Sequence, residues 1–307
     1  WERASTGPPR NPGYRYPGSL FMQVIVNIVV LGSLYCLICC GYVLIYRASR
    51  VLNLAHGEIM SLGAYFLFTV AISLGSHPAL SFICAIAMSL VLGLIIYQFL
   101  MRFMAGESAF AAVLVTIAMG ILLRGLTTLI WTSQDWYPLQ YLGIENASHL
   151  LMGEGVISTF GIIAVVSFVV IYACLFTSFK FTRWGLRMRA VGENPLFASQ
   201  RGIRLHRYYA VSWALASFSA GVAGMIQACD SGLNPGMFHI GLKAFPVVVV
   251  AGLDSLAGVI PAAFIVALVE ILAINYISPQ ASEVAPFVVL LGMLLIRPWG
   301  LFGTKEE

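Results

Sequence analysis

The sequence predicts an all-α, polytopic helical membrane protein with about eight or nine membrane elements, two of them broken or re-entrant. Three observations carry that prediction. Of the 307 residues, 60% are hydrophobic and 10% charged, whereas a soluble domain carries about 25% charged residues. Mean hydropathy is +0.89. Apolar runs recur from end to end, most of them about 20 residues long, the length a helix needs to cross a bilayer. The strands of a membrane β-barrel would instead alternate polar and apolar residues over segments of about ten.

Residues 1–19, rich in Pro, Gly and Arg, read as a flexible leader, too polar for the apolar core of a signal peptide. A transmembrane domain follows over 20–303, with a short cytoplasmic tail at 304–307. Spans are expected at Phe21–Tyr46, Ala79–Met101, Ala109–Trp131, Val156–Phe179, Tyr208–Cys229 and Leu256–Ile277, with a shorter one at Val284–Leu301. Two stretches are irregular. Leu52–Leu74 opens on polar residues, and Gly241–Leu253 is interrupted by Pro246 and too short to cross alone. Each is a polar break followed by a small-residue helix, once per half, which suggests an internal pseudo-repeat. The cysteines at 36, 39, 40, 84, 174 and 229 lie in or at the ends of apolar runs. They read as small buried hydrophobes, and neither a disulfide framework nor a metal site is expected.

Basic residues in loops set orientation. Lys180–Arg207 carries Lys180, Arg183, Arg187, Arg189, Arg201, Arg204 and Arg207 against Glu193 alone, so it belongs in the cytoplasm. Thr132–Gly155 carries Asp135, Glu145 and Glu154 with no Lys or Arg and faces outside. Within 180–207, Asn194 suits an N-cap, Pro195 the first helical position and Gly202 the left-handed stop. A short helix over Pro195–Arg201 is predicted, with Leu196 and Phe197 as apolar material for docking. A basic loop lying on anionic lipid is the plainer reading; the two caps favour a contact helix for a cytoplasmic partner.

Polar groups at membrane depth mark pathways, partners or helix breaks. Asn53 can cap a helix starting at Leu54, making this stretch a half-helix of the kind tolerated beside a cavity or inside protein. His56 and Glu58 stand about 200° apart on a helix, so they do not form a metal or acid/base dyad. Interhelical bonding, gate packing and contact with a passing solute all remain open for them. Gly57 and Ser61 make a small-xxx-small pair for close helix contact. Arg124 can snorkel or pair with an acid on a neighbouring helix, for which Glu270 is the candidate.

Leu52-Asn53-Leu54-Ala55-His56-Gly57-Glu58, continuing to Leu62-Gly63-Ala64-Tyr65, resembles the signature of permease subunits in branched-chain amino-acid ABC importers. The segment Arg189-Ala190, Glu193-Asn194, Ala198 and Gly202-Ile203 resembles that family's coupling segment. Lys243-Ala244-Phe245, Gly252, Asp254-Ser255, Gly258 and Glu270 match its second half. The resemblance runs from about Leu20 to Gly303. It implies a multi-pass permease of the bacterial inner membrane, working beside a second, similar permease, two cytoplasmic ATPases and a periplasmic solute-binding protein, among membrane lipid and with no nucleic acid. Asn53, His56, Gly57 and Glu58 are then expected in the translocation pathway or its gate. Arg189, Glu193, Asn194, Pro195, Ala198 and Gly202 are expected to couple to the ATPases. No G-x-x-x-x-G-K-[ST] occurs in these residues, so ATP is expected on partner subunits and no cofactor on this chain. A non-enzymatic transporter of branched-chain amino acids is expected. A permease for urea or short amides is the nearby alternative, and an ATPase-independent transporter or channel the more distant one. The latter would carry acids deep in several spans, where only Glu58 and Glu270 qualify.

Overall fold

A computed structural model of the protein describes residues 17–75, 77–151 and 155–303. Residues 1–16 of the expected leader, the tail 304–307 and Glu154 lie outside the described residues. The chain forms α1 (Pro17–Ser49), α2 (His56–Leu74), α3 (Pro78–Phe99), α4 (Ala109–Trp131) and the short α5 (Pro138–Leu142). A hairpin of β1 (Ser148–Leu151) and β2 (Gly155–Ser158) follows, then α6 (Thr159–Phe181), α7 (Arg183–Glu193) and α8 (Pro195–Gln200). The remainder is α9 (Leu205–Ser231), α10 (Phe238–Ala251), α11 (Leu256–Tyr276) and α12 (Ala281–Ile296). Seven helices, α1, α2, α3, α4, α6, α9 and α11, are long and apolar enough to cross a membrane, and α10 and α12 are shorter apolar helices. This is a polytopic helical membrane protein at the upper end of the expected element count.

The bundle is layered. Central helices α1, α2 and α9 are largely buried, while α3, α4 and α6 turn much of their surface outward. In lipid no hydrophobic force draws helix to helix, so association rests on close packing and small residues. The centre of α9 supplies them, with Ala216, Ser217, Ala220, Gly221, Ala223 and Gly224 all buried. A Cβ on Gly63 of α2 would collide with the Gly221 backbone of α9. The two backbones therefore meet where neither has a side chain.

Several boundaries depart from expectation. Residues 17–19 of the expected leader already belong to α1, and α10 runs unbroken through Pro246 from Phe238 to Ala251. Helix α2 begins at His56, not Leu54. Thr116 Oγ1 of α4 accepts from the Leu54 amide at 3.2 Å, and Asn53 Oδ1 accepts from the Ala55 amide at 3.1 Å. These outside and local acceptors hold 53–55 in a turn before the helix. Val156–Ser158 is strand, paired with Ser148–Leu150, so the span starts at Thr159, capped by Ser158 Oγ accepting from the Gly161 amide at 2.9 Å. The expected span to Leu301 ends at Ile296. Beyond it, the Leu301 and Phe302 amides donate to Val250 O (2.8 Å) and Ala251 O (3.1 Å). They satisfy carbonyls that the end of α10 leaves without intrahelical partners. Finally, most of the expected cytoplasmic loop is helix, and α7 in it was not expected. α7 is capped by Thr182 Oγ1 accepting from the Gly185 amide and buries Gly185, Met188, Val191 and Gly192.

Candidate functional site

Asn53, His56, Gly57 and Glu58 are all buried, and they reach different neighbours. The Asn53 amide nitrogen finds no protein acceptor. His56 Nε2 lies 3.1 Å from Ile38 O of α1. A carbonyl only accepts, so this ring nitrogen carries the proton, and Nδ1 is buried without a protein partner. The ring packs on Tyr42, centroids 4.3 Å apart, and sits against Gly41, where a Cβ would fall 2.6 Å from the imidazole. Gly57 meets α10, with its missing side chain facing Phe238 O and Gly241. The two irregular stretches of the sequence thus touch at Gly57 and Gly241.

Glu58 points the other way, to α4. Its Oε1 accepts from Arg124 Nε at 2.8 Å and from Arg124 Nη2. The same guanidinium lies over the Phe238 ring, 3.4 Å from the centroid. Glu58 is buried while about half of the Arg124 side chain is accessible. The helical spacing therefore separates His56 from Glu58 as expected. The expected Arg124–Glu270 pairing is corrected: Arg124 belongs to Glu58, because Glu58 and Arg124 occupy the facing sides of α2 and α4.

Glu270 anchors a second constellation that the sequence did not assemble. Its Oε1 accepts from Lys243 Nζ of α10 at 2.9 Å, and its Oε2 accepts from the Tyr35 hydroxyl of α1 at 2.5 Å. Glu270 stood out as an ionisable residue inside a span, whereas Lys243 entered only through the family resemblance. Nothing in the spacing of residues 27 positions apart, across a turn, said that they meet.

The segment expected to couple sits at the far end of α1. Asn194 Oδ1 accepts from the Phe197 amide at 3.1 Å, capping α8. Pro195 is the first helical residue and Ala198 is the buried one. α8 ends one residue earlier than expected, at Gln200. The Gly202 amide donates to Ser199 O and that of Ile203 to Ala198 O, with Gly202 at φ +77°, the left-handed stop its position suggested. Arg189, Glu193 and Asn194 are exposed. Leu196 and Phe197 project outward, 66% and 64% exposed. α7 ties this unit to α1: Arg50 Nε donates to Gly192 O at 3.2 Å, and a Cβ on Gly192 would strike Arg47 O.

Among the described residues no group of three His, Cys, Asp or Glu side chains could hold a metal ion. Cys36, Cys39, Cys40 and Cys229 are free and buried; Cys174 is exposed on α6.

The sequence profile described as branched-chain amino acid transport system / permease component matches residues 24–296. The chain is 30% identical over 298 residues to the high-affinity branched-chain amino acid transport system permease protein LivH of Escherichia coli K12, covering 93% of this chain and 96% of that protein. It is 29% identical over 300 residues to the corresponding BraD protein of Pseudomonas aeruginosa, covering 93% and 97%. A solved structure, PsaBC from Streptococcus pneumoniae in complex with Fab, is similar with a TM-score of 0.47 at 16% identity, over 91% of this chain and 92% of that one.

Proposed function

The chain belongs to the family of branched-chain amino acid transport permeases, and on that premise we propose that it is the membrane subunit of an ATP-driven importer. It would carry branched-chain amino acids inward across the bacterial inner membrane, paired with a second permease, receiving solute from an external binding protein and energy from two cytoplasmic ATPases.

The observation that best supports this reading is α8. A helix of six residues, capped at both ends, lies against α7 and α9 on its buried Ala198 and turns two large apolar side chains outward. Loop residues on a lone subunit have no reason to present Leu and Phe together, and an exposed apolar pair rimmed by charge suits a protein partner. The chain has no phosphate loop of its own, so a partner that binds ATP supplies what it lacks. Movement imposed on α8 would pass through α7 to the end of α1 at Arg47–Arg50. α1 is one unbroken helix of 33 residues, and it carries Ile38 against His56 and Tyr35 against Glu270. A push at α8 would thus reach both polar constellations as a shift of α1 relative to α2 and α10.

Co-expression with candidate ATPases and a binding protein of the same transport family, followed by reconstitution into vesicles, tests this directly. ATP-dependent accumulation of labelled leucine, isoleucine or valine is expected. A chain that assembles with no ATPase, or vesicles that accumulate leucine without ATP, would sink the reading.

A further inference from the structure

Within the bundle, α1, α10 and α11 enclose a cavity of about 360 Å³ that opens beside β2 and the end of α9. Its volume falls in the range of small-molecule sites, about 300–1,000 Å³. Lys243 and Glu270 are among the residues that line it, with the Tyr35 hydroxyl on the second carboxylate oxygen. Branched aliphatic side chains make the walls: Val30 and Leu34 from α1, Ile240 from α10, Ile271 and Ile274 from α11. Asn27, Gln227 and Asp230 stand among the lining residues, and Asp230 is held by Asn146 Nδ2 (3.0 Å) and Ser158 Oγ (2.6 Å).

We propose that this cavity is a binding site for a zwitterionic α-amino acid with a branched aliphatic side chain, its carboxylate on Lys243 and its ammonium on Glu270. The assignment rests on the transport reading above and adds to it the place where solute is held. Three features of the cavity match three features of such a molecule. One close cation–anion pair, 2.9 Å apart, faces a ligand that also carries one charge of each sign, while the second acid of the lining, Asp230, is engaged by Asn146 and Ser158. Both members of the pair retain capacity. Lys243 has three N–H donors and uses one on Glu270; a carboxylate offers about four lone-pair sites, of which two are filled. The ligand can therefore complete a square of alternating charges without breaking the protein's own pair. The walls then receive the aliphatic side chain.

A tie between α1, α10 and α11 does not by itself account for these charges. A buried ion pair is often no more stabilising than well-packed apolar residues of the same volume. Here it lines a cavity instead of being packed solid against apolar side chains. The competition between Lys243 and Glu270 for each other also keeps the site weak, as a carrier that must release its load requires.

The test uses the purified full-length permease in lipid nanodiscs, with equilibrium binding of radiolabelled L-leucine, leucinamide and 4-methylpentanoate. Leucinamide lacks the carboxylate and 4-methylpentanoate the ammonium. Wild type should bind leucine at least tenfold more tightly than either analogue. Lys243→Met should lose leucine affinity by about ten- to a hundredfold, the range for a hydrogen bond to a charged group, and come to prefer leucinamide. Glu270→Gln should shift preference to 4-methylpentanoate. A purely structural pair would not exchange ligand preference in this way. Should either charge variant fail to fold, Ile274→Trp decides, since it leaves the charges intact at a half-exposed wall position; it should abolish leucine binding by filling the cavity. Absent leucine binding in wild type, unchanged leucine binding in Ile274→Trp, or equal loss of all three ligands in both charge variants overturns the site. ATP-driven leucine uptake by the complete assembly, measured in parallel, separates the two ideas: uptake without cavity binding rejects the site alone, and no uptake rejects the transport reading itself.

Discussion

Both buried carboxylates among the described residues, Glu58 and Glu270, have a cation within hydrogen-bonding distance. An isolated charge in such surroundings is expensive, and removing one partner strands the other. The Arg124 end of its pair is half accessible, so the penalty there falls below that of a fully buried pair. Arg124→Ala should destabilise the purified protein by about 1–3 kcal/mol, the cost of leaving a charged buried group without its partner. Adding Glu58→Gln should recover part of the loss, because the stranded charge is gone. Thermal unfolding in one detergent reads both variants; additive effects would show that the pair is not a unit. The sequence exposed Glu58, Arg124 and Glu270 as anomalies by composition alone. Which of them meet depends on the rotation of one helix against another, and that information is spread over every residue of both interfaces. The separation of His56 from Glu58 was legible because it depends on helical period within a single element.

At the scale of elements, hydropathy located the long spans to within a few residues, since a helix must bury its backbone wherever lipid surrounds it. The short pieces were harder to read. α7 is polar on its outer face, and its inward residues are two glycines, Met188 and Val191, too small a signal to stand out from a basic loop. The cap of α8 was plain because Asn194, Pro195 and Gly202 each act locally. Asn194→Ala should cost that helix about 1 kcal/mol. Amide exchange over 196–201 should then quicken about fivefold with the rest of the chain unchanged; equal exchange in both proteins would mean that contacts with the bundle, not the cap, hold α8. The small-residue contacts make a sharper prediction. Gly63→Val forces a side chain into the Gly221 backbone and should prevent folded protein from accumulating. Gly125→Ala, on the outer side of α4 with nothing within 4 Å of the new carbon, should be tolerated and gain up to about 1 kcal/mol from helix propensity. Size-exclusion profiles of the two variants decide between them.

Across the whole molecule, the outward apolar pair on α8 and the polar constellations of the bundle lie at different depths along the same helix, α1. The geometry makes their functions separable. Leu196 and Phe197 are exposed and pack against little of the bundle, so Leu196→Asp with Phe197→Asp removes no core contact. Substitutions of exposed side chains usually change stability within about 0.5 kcal/mol, the cap bond to Phe197 uses its backbone amide, and acidic residues suit a helix's first turn, so the doubly substituted permease should purify and unfold as wild type does. Its loss should appear only in company. Two buried charges at a protein interface oppose docking by desolvation, so recovery of ATPase subunits on the tagged permease should fall at least tenfold and ATP-driven uptake with it. Leucine binding to the isolated permease should be unchanged, because the cavity is lined from α1, β2, α9, α10 and α11 and by no residue of α8. Normal ATPase recovery in this variant would remove α8 as the docking element. Normal recovery together with lost uptake would instead assign it to transmission of the stroke along α1, and a second variant, Gly192→Val, which drives a side chain into Arg47 at the α7–α1 contact, should then reproduce the same uncoupled behaviour.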